Sequence, residues 1–65
     1  MLRDKVKNFI NMGVSLKTIS TFANIHYTTL SKWINNEREM NINNQKKVEQ
    51  ALEIIIQKLS KIFYN

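Results

Sequence analysis

The last third of the chain constrains the fold most. Val48, Leu52, Ile55, Leu59 and Ile62 succeed one another at spacings of 4, 3, 4 and 3 residues. That rhythm keeps one apolar face through about four turns of α-helix. A heptad seam of this kind packs on another helix. Nothing between Ile42 and Phe63 breaks a helix, and Asn41 offers a side-chain oxygen as N-cap. Ile56 and Phe63 widen the stripe. The reading is one long helix over 42–63, with a break near Gln50 as the alternative.

Upstream, the same periodicity recurs in shorter pieces. There is no proline and a single glycine, so strand-and-turn architecture has little support. Leu2, Val6, Phe9 and Ile10 share a face over Leu2–Met12, with Arg3, Lys5, Lys7 and Asn8 turned away from it. Gly13 follows where a helix end needs positive φ. Ser15 then caps a second helix, Leu16–Ala23, whose stripe is Leu16, Ile19, Phe22 and Ala23. Asn24, a residue that tolerates the left-handed conformation, separates it from a third helix, Tyr27–Asn35. Leu30, Trp33 and Ile34 form the buried stripe of that helix, while Tyr27, Thr28, Ser31, Lys32 and Asn35 share the opposite face. Trp33 therefore reads as core and not as a stacking platform for single strands. Met12 and Met40 read as packing residues. The fold class is all-α, one domain of four or five helices.

Function classes narrow from charge and residue type. Ten Lys and Arg oppose five Asp and Glu, a net charge of +5 on 65 residues. A surface this basic attracts polyanions. Residues 1–34 hold +4 of that excess and residues 35–65 hold +1. There is no cysteine, which excludes disulfides and thiolate metal sites. One Asp, one His and no phosphate-binding glycine loop give no enzyme chemistry a foothold. No cofactor, metal or small-molecule ligand is expected. The N-terminus has no apolar stretch behind Met-Leu-Arg-Asp-Lys, and the longest apolar run is Ile54-Ile55-Ile56. No membrane association is expected, and the protein is expected to be soluble and cytoplasmic.

Residues 15–36 carry the informative constellation. A small residue, Ser20, stands where two helices cross. Asn24 occupies the turn, and Ile19, Ile25, Leu30 and Trp33 anchor both sides of it. With the flanking run L-S-K-W-I-N-N-E-R-E-M-N-I from Leu30 to Ile42, residues 13–52 resemble the phage Cro and repressor type of helix-turn-helix, the xenobiotic-response-element type. The resemblance implies a lambda-repressor-like all-α domain that binds double-stranded DNA, with residues 15–36 as the motif and His26–Asn35 as the helix entering the major groove. Carried over by position, His26, Tyr27, Thr28, Ser31, Lys32 and Asn35 become base-contacting candidates. Their chemistry suits base edges: Lys32 can donate to guanine, Asn35 can pair bidentately with adenine, and the Thr28 methyl can meet thymine. Ser15, Lys17, Thr29, Asn36 and Arg38 become phosphate contacts. Leu16 stands where the family often has a phosphate-reaching Gln. Asn36 and Met40 replace its Gly and Pro, and Glu37 and Glu39 flank the loop, leaving Arg38 and the backbone to approach phosphate there.

Three short helices cover only part of a helix of 20 or so residues. The expectation is a homodimer through Leu52, Ile55, Ile56, Leu59, Ile62 and Phe63, acting as a small phage-like repressor on a palindromic operator. Two other readings stand beside it. The C-terminal helix can serve as a protein–protein adaptor or inhibitor, or the chain can be the DNA-binding module of a larger regulator.

Overall fold

Each of the first three helices stops in the same way, and the stops shape the molecule. The computed structural model describes the backbone of residues 1–64 and the side chains of residues 1–62. Four helices follow one another: α1 (Leu2–Asn11), α2 (Leu16–Ala23), α3 (Tyr27–Ile34) and α4 (Ile42–Tyr64). No strand occurs among the described residues. Gly13, Asn24 and Asn36 follow α1, α2 and α3 with φ of 105°, 55° and 62°. At each stop the next N–H reaches back across the last turn: Val14 to the Phe9 carbonyl at 3.0 Å, Ile25 to Ser20 at 3.1 Å, and Glu37 to Lys32 at 2.8 Å. The positive-φ residue itself donates to the carbonyl three back, Gly13 to Ile10, Asn24 to Thr21 and Asn36 to Trp33. This is the Schellman arrangement, which satisfies the otherwise orphaned carbonyls and reverses the chain within a few residues.

Helix starts are equally explicit. The Ser15 hydroxyl accepts from the Thr18 N–H at 3.0 Å. Asn41 Oδ1 accepts from the Asn44 N–H at 2.8 Å. Gln45 Nε2 donates back to the Met40 carbonyl at 2.8 Å, closing the loop that precedes α4.

The apolar faces converge on one core. Val6 from α1, Ile19 and Ala23 from α2, and Leu30, Trp33 and Ile34 from α3 meet Val48, Ala51, Leu52 and Ile55 of α4. Met40 closes one end of it, and Leu2, Phe9, Ile10, Val14, Leu16 and Ile25 pack around the rim. α2 makes the most extensive contact with α4. α4 is continuous through Gln50, so the helices among the described residues number four and not five. At 23 residues it is about 34 Å long, and the whole molecule measures 40 × 22 × 20 Å. Its seam outlasts the body beneath it. Leu52 and Ile55 are 4% and 5% exposed, whereas Leu59 and Ile62 are 41% and 74% exposed.

Three expectations change. Leu52 and Ile55 belong to the chain's own core and are not available to a second copy, because α1 and α2 already cover them. Met12 is 72% exposed and stands outside the core, since α1 ends one residue before it. Phe22, read as part of the α2 stripe, lies half-exposed at the edge of the α2–α4 contact.

Candidate nucleic-acid interface

The α2–α3 unit is held rigid from inside. Ser20 is buried where α2 passes α3, and its hydroxyl donates to the Lys17 carbonyl at 2.7 Å, so burial leaves no polar atom unsatisfied. Asn24 turns the chain in the left-handed region, and His26 begins α3 by accepting the Thr28 N–H on Nδ1 at 3.3 Å. Leu30, Trp33 and Ile34 then fix one side of α3 in the core.

At 100° per residue the opposite side follows from geometry. Thr28, Lys32 and Asn35 point most directly away from the buried stripe, and all three are exposed. His26 and Tyr27 are exposed at the N-terminal end, and Ser31 sits half-buried on the same shoulder as Tyr27. Thr28, Lys32 and Asn35 therefore share one exposed face with Tyr27 and Ser31 on its shoulder, Ser31 being the least accessible, while His26 precedes the helix and lies beside Ser20, Thr21, Asn24 and Ile25. Among the phosphate candidates, Lys17, Asn36 and Arg38 are exposed. Thr29 is half-buried on the other shoulder of α3. Ser15 is exposed, but its hydroxyl already serves as the α2 cap and is hydrogen-bonded to the Thr18 hydroxyl at 2.8 Å.

No protein-family model matches this chain, and no curated protein or solved structure matches it either.

The residue that sequence reasoning missed is Arg3. Its spacing puts it off the apolar face of α1, yet its side chain is largely buried against the far end of α3. Nε donates to the Trp33 carbonyl at 2.8 Å. The guanidinium lies 5.0 Å from the centre of the Trp33 ring, within range of a cation–π attraction. Nη2 approaches Glu39 Oε1 at 3.6 Å and makes no hydrogen bond. One side chain thus ties α1, the C-terminal end of α3 and the loop after it. No local pattern signals this, because its partners lie 30 and 36 residues away.

The exposed end of α4 forms a second surface. Val14, Phe22, Ile55 and Leu59 line a groove of about 330 Å³, and Lys58 sits 5.9 Å from the Phe22 ring centre. Ile56 lies half-exposed on the other flank, beside Leu2 and Phe9 of α1. Of the residues expected at a dimer interface, Ile56, Leu59 and Ile62 are accessible, Leu52 and Ile55 are core, and the side chain of Phe63 lies outside the described residues. Among the described residues no three side chains are placed to hold a metal ion, and no helix is long and apolar enough to cross a membrane.

Proposed function

We propose that the chain is a sequence-specific double-stranded-DNA-binding regulator, a small repressor whose α2–α3 unit works as a helix-turn-helix. One observation carries the reading: α3 presents Thr28 and Lys32 outward, and its C-cap Asn35 beside them, on a helix whose other side is locked into the core. A single helix fits the major groove, which is about 12 Å wide. Side chains on a helix anchored in this way hold their positions against base edges. Positioning falls to Lys17, Arg38 and the backbone around Asn36, and the net positive charge draws the chain to duplex DNA.

Two copies joined through the exposed end of α4, with Ile56, Leu59 and Ile62 at the contact, would place two α3 helices on a palindromic operator. Half-sites then fall about 34 Å apart. Occupancy follows protein concentration and dimerisation, the simplest basis for autorepression.

The test is fluorescence anisotropy on random and selected duplexes across salt. If Lys17 and Arg38 each neutralise a phosphate, affinity per copy falls roughly 12-fold between 50 and 200 mM salt. The reading is lost if no duplex binds at the lowest salt. The apolar end of α4 also favours a second reading, an adaptor that binds another protein through Leu59 and Ile62. That reading calls for no duplex affinity at any salt.

A further inference from the structure

His26 is the one histidine in the chain, and it begins the DNA-facing helix in an unusual way. Serine, aspartate and asparagine are the favoured N-caps. Here an imidazole takes that place, with Nδ1 accepting the Thr28 N–H at 3.3 Å. An accepting Nδ1 carries its lone pair and no proton, so in the neutral ring the proton sits on Nε2. The cap therefore fixes the tautomer. It also uses the ring's only acceptor and leaves one group free for a ligand, the Nε2–H donor. The ring is exposed and borders an open hollow of about 370 Å³ with Ser20, Thr21, Asn24 and Ile25.

We propose that His26 is a specificity-determining residue that meets DNA as a fixed hydrogen-bond donor and selects an acceptor there. The inference rests on α3 being the helix that faces DNA. The base edges that satisfy it are guanine O6 and N7, adenine N7 and thymine O4, and the cytosine N4 amine, a donor, is rejected. A phosphate oxygen offers the same acceptor chemistry without sequence information.

The test combines two measurements. On the free chain, ¹⁵N NMR of the imidazole reports which nitrogen holds the proton, and the Nε2–H form is expected. Duplexes are then selected from a random pool by the wild type, by His26→Asn and by His26→Ser. Asparagine can cap through its carbonyl oxygen, but its amide nitrogen stops one bond short of the Nε2 position. Serine caps well but is too short to reach. Both variants should fold at least as stably as the wild type, which thermal unfolding checks. The wild-type pool should favour an acceptor-bearing base at one position of each half-site. His26→Ser and His26→Asn should both lose that preference and bind about tenfold more weakly. If His26→Ser instead loses affinity without a change in the selected sequence, and a methylphosphonate at one position weakens the wild type equally, the acceptor is a phosphate and the specificity role is overturned. A proton on Nδ1, or wild-type binding and selection by His26→Ser, would overturn the proposal. Failure of the wild type to bind any duplex would sink the DNA-facing reading of α3 and this inference with it.

Discussion

Replacing Arg3 with methionine tests whether its guanidinium, and not merely its stem, joins α1 to α3. Methionine keeps an unbranched apolar stem over Trp33. It removes the charge-assisted hydrogen bond to the Trp33 carbonyl, in a class worth about 1.5–3 kcal/mol. It also removes the stacking of the cation on the indole, about 0.5–2 kcal/mol. Three features reduce the net cost. The Trp33 carbonyl keeps the Asn36 N–H at 3.1 Å and is not orphaned. The buried Nη2, which makes no hydrogen bond, disappears with its desolvation penalty. The partner Glu39 is 88% exposed, so solvent screening leaves the ion pair little weight. The balance is a destabilisation of about 1.5 kcal/mol, or roughly 6–12 °C in Tm for a domain of this size. Urea unfolding followed by far-ultraviolet circular dichroism, at matched m-values, measures it. Glu39→Gln alone should change stability by less than about 0.5 kcal/mol. A loss under about 0.5 kcal/mol for Arg3→Met would refute the reasoning, as would a Glu39→Gln cost equal to it.

Other outcomes follow from the same coordinates. Asn24→Gly should be tolerated within a few tenths of a kcal/mol, whereas Asn24→Val should cost about 1–2 kcal/mol or more, because a β-branched residue resists the left-handed conformation; thermal unfolding separates the two. Ile55→Ala should cost about 2–5 kcal/mol of stability as a core truncation. Ile62→Ala should leave monomer stability nearly unchanged and weaken self-association in sedimentation velocity; equal effects of the two on stability would contradict the boundary between core and exposed seam. Lys32→Ala and Asn35→Ala should each remove about 1–3 kcal/mol of discrimination between bases while thermal stability holds. If both retain wild-type selectivity in competition binding, α3 does not read sequence.

Local chemistry made much of the architecture legible before any coordinates. Ser15 and Asn41 announce helix starts because a side-chain oxygen at that position meets the free N–H groups of a first turn. Gly13 and Asn24 announce helix ends because few other residues tolerate positive φ. The buried and outward faces of α3 followed from a 100° step, and the candidate surface on α3 lies where that step puts it. Long-range partners were not legible. Arg3 looks like a solvated charge on α1 until α3 is laid across it. The seam of α4 looks uniform from Val48 to Ile62, although only its first half is covered.

Periodicity and capping are properties of neighbours in the chain, so the sequence by itself determined an all-helical chain of four or five helices, their starts at Ser15 and Asn41, and the buried stripe of α3. Coverage depends on how far one helix extends past another, and that is set by packing in three dimensions. Only the tertiary structure decided that Leu52 and Ile55 are interior while Leu59 and Ile62 face solvent. It alone placed the Arg3 guanidinium on Trp33, and it alone committed the His26 ring to capping through Nδ1.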